Sequence, residues 1–201
     1  IALPSSQRAL LKELVTLGKP VVLVTMAGRP LVLDWEAENV DAIVNAWHLG
    51  SAAGSAIADV LSGDVNPSGR LTASFPHNVG QIPFHYNHKN SGRPLAEGDH
   101  YQGFTSCYCD VPNDALYPFG FGLSYSKISY SDMKISADSL AVSSLPLKVS
   151  VNVTNESDRD AFEVAQLYIR DKVASSTRPV KELKGFKRVL VPAGKTETVE
   201  F

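Results

Sequence analysis

A chain of 201 residues corresponds to one to two domains at about 150 residues each, enough to bury a core. Nineteen Lys and Arg against 21 Asp and Glu leave a net charge of −2, so no excess of positive charge is present to draw a nucleic-acid backbone or an anionic membrane. With 44% hydrophobic and 20% charged residues the chain is globular rather than disordered, and no apolar run approaches the roughly 20 residues that span a bilayer.

Residues 1–76 alternate helix-like and buried-strand-like segments. Ser5 or Ser6 is placed to cap a helix whose apolar positions Leu10, Leu11, Leu14 and Val15 follow helical spacing, with Gly18 as its stop. Residues 20–27 (PVVLVTMA) form a nearly unbroken apolar run, as expected for a strand covered on both faces, and residues 42–47 (AIVNAW) read as a second. Residues 52–61 predict another helix, with Ile57, Ala58 and Leu61 on one side and Gly63 ending it. Residues 71–75 (LTASF) predict a last short strand before Pro76. Helices alternating with buried strands imply a parallel sheet with helices packed on it.

Residues 77–126 hold no period for long and are rich in His, Asn, Gly, Pro and Tyr. An irregular connection of that length tends to be functional or disordered, and its aromatics, among them Phe84, Tyr86, Tyr101, Phe104, Tyr108, Phe119 and Tyr125, predict a docked segment. From residue 127 to 201 the chain reads all-β. Leu147, Val149, Val151 and Val153 alternate with polar residues, and residues 155–158 (NESD) carry turn chemistry. Val164 to Arg170 continues as a strand with Ala165, Leu167 and Ile169 on one side, and Val189 and Val191 precede a turn at residues 192–195 (PAGK). Short strands separated by turns predict a β-sandwich. Neither end looks like a protein terminus: residues 1–4 (IALP) lack an initiator Met and a signal segment, and residues 196–201 (TETVEF) stop inside an alternating pattern. A fragment of a longer protein is expected.

Three stretches, 18–24 (GKPVVLV), 28–31 (GRPL) and 56–71 (AIADVLSGDVNPSGRL), resemble the C-terminal α/β domain of family 3 glycoside hydrolases. Residues 116–125 (LYPFGFGLSY) are similar to that family's junction into a fibronectin type III-like domain, and residues 178–186 (RPVKELKGF) to a motif within it. The matches follow the family's order, cover nearly the whole chain and look most like the bacterial β-glucosidase branch. The implied fold is part of an α/β parallel-sheet sandwich (1–76), an irregular connection (77–126) and a fibronectin III-like, immunoglobulin-like sandwich truncated at its C-terminus (127–201). The implied activity is retaining hydrolysis of β-linked, non-reducing sugar residues, which uses two carboxylates about 5 Å apart. In the family the nucleophilic Asp lies in an N-terminal barrel domain, and the acid/base Glu a short way before the Leu-Pro that aligns with Leu3-Pro4. The resemblance therefore implies that both catalytic residues lie upstream of Ile1, that the missing barrel domain and a β-linked glycoside are the partners, that no cofactor or metal is used, and that the parent enzyme is periplasmic or secreted. A non-catalytic carbohydrate-binding or adhesion module of the same fold is the alternative.

Individual residues carry two readings each. Glu13, Glu36 and Glu38 are expected to be solvated groups on helical faces. Residues 63–69 (GDVNPSG) lack a phosphate-loop ending and follow a helix, so they read as a helix stop and tight turn in which Asp64 and Asn66 satisfy local backbone groups. Arg29 and Trp47 sit at the carboxyl ends of predicted strands, where α/β sheets collect ligands. Arg29 can reach a sugar or form a structural ion pair; Trp47 can stack on a sugar ring or pack in a core. Tyr101 and Tyr108 can line an outer sugar subsite or pack their loop onto the sheet. Similar family members often carry Arg where Cys107 stands. Cys107 and Cys109, one residue apart with no further Cys and no His at ligand spacing, read as unremarkable thiols. None of His48, His77, His85, His88 and His100 has a partner assignable from spacing. The positive run Arg178, Lys181, Lys184, Lys187 and Arg188 reads as a solvated face, and Asn152 and Asn155 head glycosylation patterns.

Overall fold

The computed structural model describes residues 1–96, 99, 101–139 and 146–201. The chain forms two compact units: Ile1–Ala58, Leu71–Phe121 and Ser175–Val180 in the first, and Asp59–Arg70, Gly122–Ala174 and Lys181–Phe201 in the second.

The first unit opens with helix α1 (Ser5–Thr16), whose N-cap is Pro4 with no side-chain cap bond. The expected Ser5 or Ser6 cap does not form, because extended Pro4 already turns the chain and its carbonyl accepts the Arg8 N–H at 3.0 Å. The helix stops as expected at Gly18, in the left-handed region at φ +64°. Of its apolar positions Leu11 is buried, while Leu10 and Leu14 are exposed. Strands β1 (Val22–Thr25) and β2 (Ala42–Asn45) pair in parallel, Val22 opposite Ala42 through Thr25 opposite Asn45. They are not covered on both faces: two strands leave open edges, Val22 is 43% exposed, and within the two strands only Thr25 is buried. Between them lies helix α2 (Asp34–Asn39), and after them α3 (Ala53–Ser62), ended by Gly63 at φ +85°.

Glu36 overturns the expectation of a solvated carboxylate. It is fully buried, and Arg8 of α1 donates to both its oxygens, Nε at 2.7 Å and Nη2 at 2.9 Å. A fork-shaped donor that satisfies both oxygens is what lets a carboxylate leave water. Glu13 and Glu38 are exposed as expected. The core of this unit gathers Leu31, Leu33 and Phe75, with Leu23, Ile43, Trp47 and Tyr117 packed on it. Residues 71–75 make no regular strand. They touch residues 117–121 through one bridge, Phe75 opposite Tyr117, and through Leu71 N–H to Phe121 O at 2.8 Å. Pro118, which has no N–H, and a tight turn closed by Phe121 N–H to Pro118 O break the ladder.

The described residues of the long connection are irregular, with a 3-10 turn at Val79–Gln81. Some of its aromatics dock: Tyr86 stacks on Phe119 at 4.1 Å, and Tyr117 on Phe121 at 5.4 Å. Others do not, since Phe104 is 90% and Tyr101 66% exposed.

Among its described residues the second unit carries five strands, β3 (Ile128–Ile135), β4 (Val149–Asn155), β5 (Ala161–Ile169), β6 (Glu182–Val191) and β7 (Thr196–Glu200). One antiparallel sheet runs β3-β4-β7 and the other pairs β5 with β6. Val153, Ala165, Val191 and Val199, from both sheets, form its core. The turn after β6 is closed by Lys195 N–H to Pro192 O, with Gly194 at φ +63°. Asn155 is fully buried: its amide donates to Arg159 O at 2.7 Å and Val191 O at 3.0 Å, and its oxygen accepts the Ser157 N–H. Asn66 is not limited to local bonds. It clamps residues 124–126, its oxygen accepting Ser124 Oγ and Tyr125 N–H and its amide donating to Ser126 Oγ, each at 2.9 Å. Asp64 bonds locally, but its carboxylate accepts from the Ser62 hydroxyl rather than from a backbone group. The positive run is exposed throughout, with Arg188 lying over the Phe162 ring at 3.6 Å.

Arg70 and Glu163 form the buried ion pair of this unit at 2.7 Å, and the Tyr130 hydroxyl donates to the other Glu163 oxygen at 2.8 Å. Burial first, and then the bond to Glu163, push the Tyr130 phenol above its ordinary value. Replacing Arg70 with Ala strands a buried carboxylate. We expect a loss of about 3 kcal/mol by chemical denaturation. Glu163→Gln, which still accepts from Tyr130, is expected to lose less than Arg70→Ala under the same conditions.

Candidate functional site

The irregular connection of the first unit shapes an open groove of about 260 Å³. Tyr101 and Tyr108 both line it, together with Asp99, Asp110, Pro112 and Asn113. Its walls are held by side chains rather than by a sheet. Asn113 closes the loop by accepting the Tyr108 N–H at 3.1 Å and donating to Ser106 O at 2.8 Å. Ser106 N–H in turn donates to Arg93 O at 2.8 Å. Behind the groove, buried Gln81 donates to Pro112 O at 2.8 Å and Asp114 O at 3.3 Å.

Of the four residues singled out from the sequence, the structure brings Tyr101 and Tyr108 together. Neither packs its loop onto a sheet: Tyr101 is exposed, and the half-exposed Tyr108 sets its hydroxyl 3.5 Å from the carbonyl of Gln81. Arg29 and Trp47 lie elsewhere, in the loops that follow β1 and β2. Those loops meet where His48 approaches Gly28, so closely that a Cβ there would stand 2.7 Å from His48 Nε2. Trp47, at φ +49°, is half-buried, with its ring 5.9 Å from that of Phe75. Arg29 is exposed.

The groove offers two phenol rings, whose faces suit the C–H surface of a sugar, and two carboxylates that can accept hydroxyl protons. Asp99 and Asp110 are both exposed. A proton-donating carboxyl of a glycosidase pair is instead held in an apolar pocket. Cys107 and Cys109 are free thiols, and Cys109 lines the groove. Cys107 is half-buried near Thr105. Among the described residues no three His, Cys, Asp or Glu side chains gather as metal ligands, and no helix is long and apolar enough to cross a membrane.

Asp99, Asp110 and Asn113 line the groove and Gln81 supports it without being among the residues expected there from the sequence. Asn113 stands in a Pro-Asn-Asp turn signal, but nothing local marks Gln81 as buried. No spacing marks a partner for His77, whose Nδ1 lies 2.5 Å from Asp34 Oδ1 across 43 residues of chain. Asp34 Oδ2 is buried without a hydrogen-bond partner among the described residues. Burial, followed by the Asp34 charge, pushes the Tyr117 phenol upward. His100 lies outside the described residues.

Residues 1–125 match the glycosyl hydrolase family 3 C-terminal domain, and residues 163–201 a fibronectin type III-like domain. The periplasmic β-glucosidase of Salmonella typhimurium is 47% identical over 100% of this chain and 26% of its own length. A β-xylosidase of Formosa agariphila is 42% identical over 97% of this chain and 26% of its own. Among solved structures, a variant of the Listeria innocua β-glucosidase in complex with laminaribiose superposes with a TM-score of 0.89 at 44% identity, covering 100% of this chain and 28% of that one. The chain thus spans about a quarter of the length of the relatives it matches. It belongs to glycosyl hydrolase family 3, as the family's C-terminal domain followed by a fibronectin type III-like domain.

Proposed function

We propose that the chain works as the C-terminal part of a retaining β-glycosidase, hydrolysing O-glycosidic bonds at the non-reducing ends of β-linked glycosides. In this reading it supplies scaffold and cleft wall and lacks both catalytic carboxylates, which belong to residues upstream of Ile1 and to a barrel domain that is its partner. The β-glucosidase and β-xylosidase relatives support the reaction class, and the Salmonella relative supports a periplasmic or secreted site of action. The observation that carries the division of labour is the groove itself. It presents Tyr101 and Tyr108 beside carboxylates that are open to water.

Tyr101 and Tyr108 would then contact an outer sugar unit. Arg29 is proposed as a second rim group because it is exposed at the strand ends, with Trp47 as the packing support of its neighbouring loop. A non-catalytic carbohydrate-binding or adhesion module of the same fold is the second reading, favoured by the grouping of Tyr101 and Tyr108 at the groove.

The purified 201-residue chain is expected not to hydrolyse an aryl β-glucoside; turnover above a contaminant control would contradict the placement of the catalytic pair. It is expected to bind laminaribiose weakly, as followed by chemical-shift titration. Tyr101→Ala and Tyr108→Ala should each weaken that binding about two- to twelvefold, the value of one lost contact of ~0.5–1.5 kcal/mol. Unaltered affinity in both variants would remove the groove from consideration. Hydrolysis of the disaccharide by a longer product of the same gene separates the two readings.

A further inference from the structure

Gln81 is 1% exposed, and its side chain bonds only to backbone. Its oxygen accepts the N–H groups of His77 at 2.6 Å and Asn78 at 3.2 Å. Its two amide protons go to the carbonyls of Pro112 at 2.8 Å and Asp114 at 3.3 Å. A primary amide has two donors and one two-lone-pair acceptor, so its whole capacity is committed to joining two stretches of chain. The far stretch is the groove wall, since Pro112 and Asn113 line the cavity. From Asn113 the link runs on to Tyr108 N–H and Ser106 O.

We propose that Gln81 is a positioning residue for the groove. Its amide fixes residues 112–114, and through Asn113 it sets the position of Tyr108. A contact residue is only as well placed as the shell that supports it, and here that shell runs from buried Gln81 through Asn113. The consequence for sugar binding rests on the reading of the groove given above; the tethering of the wall does not.

Gln81→Glu separates the two halves of this side chain. A carboxylate still accepts from His77 and Asn78 but offers the wall no donor and sets negative charge against two carbonyls. Hydrogen exchange of the full 201-residue chain reads the tether directly. The amides of residues 106–114 are expected to exchange about tenfold or more faster in Gln81→Glu, while those of β1 and β2 keep their rates. Laminaribiose affinity should fall at least fivefold, and Gln81→Glu combined with Tyr108→Ala should bind no more weakly than Tyr108→Ala alone. Gln81→Met removes the donors without burying a charge and should give the same pattern, which keeps the test valid if Gln81→Glu does not fold. Unchanged exchange at 106–114 in both variants overturns the proposal, as do multiplicative losses in the double variant. A wild-type chain that binds no laminaribiose overturns the sugar reading of the groove, and the exchange rates then still decide the role of Gln81.

Discussion

Among the described residues, 77–121 contain no strand and one short helical turn, yet their backbone groups need hydrogen-bond partners wherever they leave water. The first unit meets that constraint with side-chain amides. Gln81 and Asn113 take the place of a ladder, each joining backbone atoms that regular structure would have paired. Stacked aromatics supply the apolar half of the same arrangement, Tyr86 on Phe119 and Tyr117 on Phe121. An irregular segment held this way can present a concave surface that a flat sheet cannot.

Buried charge follows a common pattern in both units. Glu36 with Arg8, and Glu163 with Arg70, are each met by a guanidinium at 2.7 Å. Arg is suited to this because its planar fork matches a carboxylate and its charge is not lost on burial. Such pairs seldom add much over an apolar replacement, but removing one partner leaves the other uncompensated. They act as registers more than as glue: Arg8 ties α1 to α2, and Arg70 ties residues 59–70 to β5. Gly122 serves the same join, since a Cβ there would stand 2.3 Å from the carbonyl of Gly69.

What could be read from the sequence was local. Helices α1 and α3 announce themselves by apolar spacing and by Gly18 and Gly63, and β4 by strict alternation. The turn between β6 and β7 follows from Pro192 and Gly194. What escaped was decided by partners far along the chain. Glu36 looks like any helical carboxylate until Arg8 is placed beside it, 28 residues away, and Asn66 looks like turn punctuation until residues 124–126 arrive. The grouping of Tyr101 with Tyr108 was legible because they are close in sequence. The inclusion of Asp99 and Asp110, and the support from Gln81, depended on a loop path that no period encodes. Within residues 1–201 β1 and β2 pair with each other and Val22 is 43% exposed, so the both-faces burial that their apolar composition suits is not seen among these residues.

Asn155 carries one more implication. It heads an Asn-Glu-Ser pattern, yet its amide nitrogen, the atom that oligosaccharyltransferase would modify, is sealed inside the sandwich and spends both protons on main-chain oxygens. A eukaryotic secretory host would reach that nitrogen only before the strands close. A glycan attached then would wedge β4 away from its neighbours, so yeast or insect-cell production would select between unmodified, folded chains and decorated, misassembled ones.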